Sequence, residues 1–400
     1  MATSSSGGRH GRYRAAAVCT PGLEAVCAAE LTELGMRPKS AGPGLLTFEA
    51  NRRQLYAANV WLRTAARVTV RVATFRATDF AHLQDHAATI DWDRWVPPGF
   101  APRFRITSTD SKLYHTKAIA QRLHQVGKPP SIDEPEQTFI VRIDRNTVTI
   151  SADSSGEALH RRPWRTSLGD APIRPTMAAA LLRLVGWTPA DALVDPFCGS
   201  GTIGIEAALL AAGMPPGGER AFAFHDWLDF DPGSWASVVG GIGASLDGAA
   251  VPAPIVLADR DPAMAAATEA NAEAAGVADR LSVETRVVAH LRARTDRGWL
   301  VTNPPYGRRL QGGDPAALYR RLGAVTRERL PGYGLAVVTS DRTLARAADG
   351  RLRSVARFRH GGLGIAAYTR GAAAQAGADA PDAEPAERQG KSAEGPERAD

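Results

Sequence analysis

The sequence predicts an α/β protein: a doubly wound, mostly parallel sheet domain in its second half, preceded by an α+β module. Three observations carry that expectation. From near Ala178 onward, strand-length apolar runs alternate with helix-periodic segments, which is the grammar of βα units. One strand-to-helix junction in that region is a glycine-rich turn, DPFCGSGT, at Asp195–Thr202. Upstream, strands and helices are mixed without regular alternation. The 400 residues suffice for two or three domains, and no run approaches the roughly 20 apolar residues that a membrane helix needs.

Residues 1–11 are small and polar and are expected to be disordered. In residues 12–50, AAAVC and GLLTF read as strands flanking GLEAVCAAELTELG, whose Leu23, Val26, Cys27, Leu31 and Leu34 fall at helical spacing. In residues 51–157, RRQLYAANVWLRTA reads as a helix, RVTVRVATF and PRFRITS as strands, and TKAIAQRLHQVG as a helix. TFIVRIDRNTVTISAD reads as a hairpin turning at Asp144–Asn146. Residues 158–370 then give the helix MAAALLRLVGW, the strand–turn–helix DALVDPFCGSGTIGIEAALLAAG and the strand APIVLADRD. PAMAAATEANAEAAG is a helix, RLSVETRVV and GWLVTNPP are strands, ALYRRLGAVTRERL is a helix and GLAVVTS a strand. Residues 371–400, rich in Ala, Glu, Pro and Gly, read as a disordered acidic tail.

Charge is distributed unevenly. That tail holds seven acids against three bases, so the body before it is more basic than the formal +6 of the whole chain. A basic body suits a polyanionic partner, although a general bias toward Ala, Gly and Arg would produce the same excess. Only Cys19, Cys27 and Cys198 occur, with no CxxC pair. That argues against a disulfide or zinc framework and for a reducing, cytoplasmic setting. The first residues lack the apolar segment of a signal peptide, so no secretion is expected.

Three places carry chemistry. In the turn Asp195-Pro196-Phe197-Cys198-Gly199-Ser200-Gly201-Thr202, the glycines let backbone approach a ligand closely. The turn lacks the third glycine of a dinucleotide fingerprint and the Lys-Ser/Thr of a P-loop. Asp195 would repel a pyrophosphate but accept hydrogen bonds from an amine-bearing ligand. Cys198 reads as a small buried turn residue rather than a nucleophile. Next, Asp259 closes the strand PIVLAD, where α/β folds hold the ribose hydroxyls of an adenosine cofactor; Asp261 reads as the cap of the following helix. Last comes LVTNPPYG. An exocyclic amine on a nucleobase is a poor nucleophile because its lone pair is delocalised. The Asn303 side-chain oxygen and the Pro304 carbonyl can fix its protons and aim that pair at an electrophilic methyl group. Pro304 and Pro305 stiffen the loop, and Tyr306 is expected to offer an exposed face for a base.

The pair DPFCGSGT and NPPYG resembles the class I S-adenosylmethionine-dependent RNA methyltransferases that carry an N-terminal THUMP domain. The nearest likeness is to the guanine-N2 methyltransferases of bacterial large-subunit rRNA. Upstream, PGLEAVCAAELTELG resembles the family's ferredoxin-like segment, and NVWLRTAARV and SKLYHTKAIAQRL its THUMP region. ISADSSGEALHRRPWR with APIRPTMAAALL resembles the hinge, and FAFHDWLDFDPGSW the segment between the first two cofactor strands. The resemblance covers residues 12–370 and implies a Rossmann-like methyltransferase domain at 158–370 behind a ferredoxin-like segment at 12–50 and a THUMP-like domain at 51–157.

It further implies S-adenosylmethionine as cofactor, no metal and an RNA partner. Asp195, Pro196, Phe197, Gly199, Gly201, Thr202 and Asp259 would bind the cofactor, and Asn303, Pro304, Pro305 and Tyr306 the target base. Where the family has an acid for the cofactor's adenine, this sequence reads Ala289-His290, with Asp296 further on. Lys112, His115, Lys117, Arg122, Lys128, Arg161, Arg162 and Arg165 are candidate RNA contacts, and Trp164 a ring that could stack. The motif serves any exocyclic amine, so a tRNA guanine-N2 enzyme or an adenine-N6 enzyme on RNA or DNA remains an alternative. A dinucleotide-dependent oxidoreductase is a distant one, because it leaves the proline motif idle.

Overall fold

The structure is a computed structural model, and it describes residues 12–131, 133–167, 173–218, 220–240, 253–306, 314–360 and 362–371. Both expected disordered ends, 1–11 and 371–400, lie outside these residues except for Gly371.

The N-terminal half contains β1 (Arg12–Cys19), α1 (Glu24–Glu33), β2 (Lys39–Ser40), β3 (Leu45–Asn51), α2 (Arg52–Trp61), β4 (Ala65–Arg76), α3 (Phe80–Ala88), β5 (Ala101–Thr109), α4 (Thr116–Val126), β6 (Glu136–Asp144) and β7 (Thr147–Asp153). Its strands form one seven-stranded sheet in the order β2-β3-β1-β4-β7-β6-β5. Alternate residues of β1, β3 and β6 enter the core, as in Tyr13, Ala15 and Ala17 of β1 and Phe139, Val141 and Ile143 of β6. That period-two pattern is why those segments read as strands. Asn51 caps α2 in a reciprocal pair with Gln54. The β6–β7 turn places Arg145 and Asn146 at φ of 48° and 63°, the left-handed pair that a two-residue hairpin demands. Pairing is unbroken past residue 50, because β1 pairs with both β3 and β4, and β4 with β7.

The second half contains α5 (Pro175–Leu184), β8 (Ala192–Asp195), α6 (Thr202–Ala211), α7 (Pro232–Val239), β9 (Ile255–Asp259), α8 (Pro262–Ala274), β10 (Leu281–Thr285), β11 (Gly298–Thr302), α9 (Pro315–Arg329), β12 (Tyr333–Thr339), α10 (Arg342–Ala348), β13 (Arg353–His360) and β14 (Leu363–Arg370). Its sheet runs β10-β9-β8-β11-β12-β14-β13. Strands β8 to β12 are parallel, and the closing hairpin of β13 and β14 is antiparallel. The order reverses at β8, so a crevice opens beyond the carboxyl ends of β8 and β11, where doubly wound sheets bind ligands.

The two halves interlock. Residues after α6 leave the parallel sheet and join the N-terminal core: Phe224 stacks on Tyr56 with ring centroids 4.4 Å apart, and the Trp227 indole donates to Gln137 Oε1 at 2.9 Å. In return, Leu23 and Val26 pack within the core of the second half. Between them lies a buried ion cluster. Arg162 Nε donates to Glu206 Oε1 at 2.8 Å, and Arg63 Nη1 lies 3.6 Å from Glu206 Oε2, all three side chains at most 5% exposed. Arg162 also donates to the carbonyls of Leu159 and Arg63, which satisfies most of its fork.

Candidate active site

The three sequence motifs converge on the carboxyl ends of three adjacent strands. Asp195 ends β8, Asp259 ends β9 and Asn303 directly follows β11. Between the first and third motifs runs a direct bond: the Thr302 hydroxyl donates to Asp195 Oδ1 at 2.6 Å. The Phe197 amide donates to the same oxygen at 3.2 Å. Asp195 is 1% exposed, and burial pushes its carboxyl up to about 7 although both hydrogen bonds oppose the rise. A buried acid held near neutrality is poised to ionise when a cationic group arrives beside it.

Asp259 completes the turn from the neighbouring strand. Its Oδ2 accepts from the Gly199 amide at 3.0 Å and its Oδ1 from the Asp261 amide at 3.0 Å. A carboxylate has about four lone-pair positions, so acceptor capacity remains for ligand hydroxyls. Asp261 caps α8 through the Ala263 amide at 2.9 Å, as expected. Gly199 and Gly201 stand at φ of 53° and 81°, left-handed values that other residues adopt at a cost. A side chain at Gly201 would meet Thr268 at 2.6 Å, whereas the space beside Gly199 is open. Pro196, Cys198, Ser200 and Thr202 are buried and Phe197 half-buried. Burial raises the Cys198 thiol further from ionisation, in keeping with an inert turn residue.

Two residues of α8 that the sequence reading passed over hold this turn. Thr268 Oγ1 donates to the Gly199 carbonyl at 2.7 Å. Asn271 Nδ2 donates to the Ser200 carbonyl at 3.0 Å and the Ser167 carbonyl at 2.9 Å, while its Oδ1 accepts the amides of Thr166 and Ser167. Asn271 thereby ties the glycine turn to the hinge. The available signal was two polar residues, three apart, on an alanine-rich helix; such a pair shares one face.

In the third motif Asn303 and Pro305 are half-buried and Pro304 is buried. Tyr306 is 3% exposed and belongs to the core of the second half. This corrects the expectation of an exposed stacking face: the ring anchors the end of the segment. Residues 307–313 lie outside the described ones. Trp164 is likewise 4% exposed within that core, so it offers no face for stacking.

Of the candidate RNA contacts, Arg162 is a buried partner of Glu206, and Arg165 donates to the Ile173 carbonyl. Lys128 pairs with Asp93 at 3.0 Å. Lys112, His115, Lys117, Arg122 and Arg161 are exposed. Asp296 precedes β11 at the amino edge of the sheet, opposite the crevice, and so cannot replace the missing acid near Ala289.

The open space at Gly199, the Asp195 and Asp259 carboxylates and the buried Ser200 Oγ, without a hydrogen-bond partner among the described residues, fit an adenosyl ligand bearing a charged amino group. No cluster of metal-binding side chains occurs among the described residues, and none of their helices is long and apolar enough to cross a membrane.

Comparison with known proteins bears on the same elements. Residues 162–365 match the model of the RMKL-like methyltransferase domain, and residues 14–69 that of the RlmL ferredoxin-like domain. A Synechocystis protein named as a candidate RNA methyltransferase is 33% identical over 86% of this chain and 92% of its own. The ribosomal RNA large subunit methyltransferase K/L of Saccharophagus degradans is 30% identical over 86% of this chain, which spans about half (49%) of that relative. A candidate methyltransferase solved with S-adenosylhomocysteine superposes with a TM-score of 0.80 at 27% identity, covering 91% of this chain and 99% of that one. The chain belongs to the RMKL-like methyltransferase family, with a ferredoxin-like domain in front of a Rossmann-like domain that uses S-adenosylmethionine.

Proposed function

We propose that the protein methylates the exocyclic N2 amine of a guanosine in RNA, with large-subunit rRNA as the substrate. The observation that carries this reading is the Thr302–Asp195 hydrogen bond. It couples the segment Asn303–Tyr306 to the cofactor turn, so that the target amine and the methyl donor meet at one strand end. Bound S-adenosylmethionine supplies a methyl group activated by its sulfonium.

The protein's own groups supply orientation. Asp195, Pro196, Phe197, Gly199, Gly201 and Thr202 hold the methionine portion, and Asp259 holds the ribose hydroxyls. The Asn303 side-chain oxygen and the Pro304 carbonyl accept hydrogen bonds from the two amine N–H groups, which turns the nitrogen lone pair toward the methyl group. Pro304 and Pro305 lack N–H groups that would compete for those acceptors. Tyr306 fixes the far end of the segment from within the core. No strong base is needed at the moment of transfer, because the nitrogen becomes cationic as it gains the methyl group and its surplus proton is then acidic enough to pass to water; positioning supplies most of the rate enhancement. The names of the matched relatives, which specify RNA and in one case large-subunit rRNA, support the choice of substrate. In this reading residues 51–157 form a THUMP-like RNA-binding domain.

Nucleoside mass spectrometry of rRNA and tRNA from a strain lacking the protein tests the assignment. Loss of one N2-methylguanosine from large-subunit rRNA is expected. Loss from tRNA would move the substrate, loss of N6-methyladenosine would move the base, and an unchanged profile would reject the reading.

A further inference from the structure

The N-terminal sheet buries one face under its helices and leaves the other to solvent. On that second face a hollow of about 620 Å³ opens between β1, β3, β4 and the α1–β2 connection. Among the described residues its walls carry Arg12, Arg14, Arg37, Lys39 and Arg71 against one carboxylate, Glu49. Glu49 lies 3.3 Å from Arg12 and offsets one of these charges, which leaves four without a countercharge in the described lining. Arg14 and Arg71 sit close together: partial burial and then the Arg14 charge hold the Arg71 guanidinium below its ordinary pKa. Cations gathered in a concavity with little countercharge attract a polyanion. Among the described residues no exposed aromatic side chain lines the hollow, so they can grip a phosphate backbone but give no platform for stacking bases.

We propose that this hollow binds backbone phosphates of the RNA substrate, as a docking site in the opposite half of the chain from the methyl-transfer crevice. The inference rests on the RNA reading above. Its contacts are independent of sequence and set where the RNA lies before a guanosine reaches Asn303. It adds a second group of solvent-facing cations to Lys112, His115, Lys117, Arg122 and Arg161, whereas Arg162 and Lys128 are engaged within the protein.

The test uses full-length protein and a transcribed large-subunit rRNA fragment that the wild type methylates, with affinity measured across a salt series. In the double variant Arg14→Gln/Arg71→Gln, the dissociation constant should rise about tenfold or more. The log–log salt slope should become shallower by roughly 1.4 to 1.8, the loss of two phosphate contacts. Affinity for S-adenosylmethionine and turnover at saturating RNA should be unchanged. Glu49→Gln should tighten RNA binding several-fold, an opposite sign that a merely structural role would not produce. Unchanged affinity and slope in the double variant, with wild-type methylation intact, would overturn the docking site and leave the hollow to an acidic protein. A wild type that methylates no RNA would instead reject the functional reading itself, and this inference with it.

Discussion

Asp195 is where chemistry and stability pull apart. Its carboxyl titrates near 7 in the folded, ligand-free protein and near 4 in an unfolded chain. Between those values the folded state holds a proton that the unfolded state releases, so stability falls as pH rises from about 4 to about 7 and is level above. Asp195→Asn should abolish that slope. The ligand-free variant should melt near the wild type at pH 4 and above it at pH 8, by a few kcal/mol at most, while losing cofactor affinity at least about tenfold. Melting curves across pH check this, and a wild-type slope in the variant would remove Asp195 as its source. The turn around this acid was legible in the sequence because a strand-ending acid, two glycines at positive φ and a helix start follow one another within eight residues. The exposure of Tyr306 was not, because burial depends on what the rest of the sheet packs against it.

At the scale of elements, the glycine turn between β8 and α6 is the most constrained segment. Gly201 sits at φ 81°, and a methyl group there would come within 2.6 Å of the Thr268 side chain. Gly201→Ala should therefore destabilise the protein by about 1–3 kcal/mol and weaken cofactor binding. Gly199→Ala, with open space beside it, should leave stability closer to wild type while blocking the ligand's approach; thermal melts with and without S-adenosylmethionine separate the two. Strands β8 to β12 were readable as short apolar runs, because a parallel strand is buried on both faces, and α5, α6, α8 and α9 by their length and apolar spacing. Helices α3, α7 and α10, the two-residue β2 and the antiparallel β13–β14 hairpin were not legible, since β2 is too short to show a period and the three helices span only seven to nine residues. Thr268 and Asn271 escaped notice for a different reason: a polar residue on a helix gives no sign of which loop it will hold.

Across the whole molecule, the halves are joined by the Arg63–Glu206–Arg162 cluster and by the aromatic segment around Phe224. Glu206→Gln would leave two buried guanidinium groups without their countercharge, at a cost of about 3–5 kcal/mol. Calorimetry should show a lower melting temperature, and separation into two transitions if the cluster couples the halves. A variant indistinguishable from wild type would show the cluster to be incidental. That coupling matters because the proposed RNA-docking face and the methyl-transfer crevice belong to different halves, which these contacts link.

The central claim is tested most directly by purified protein, labelled S-adenosylmethionine and rRNA from the strain lacking it, comparing wild type with Asn303→Ala. The wild type should place label in N2-methylguanosine. The variant should turn over about a hundredfold more slowly or worse, with cofactor affinity within about threefold of wild type. Label in another nucleoside, or a variant that transfers methyl groups at the wild-type rate, would contradict it.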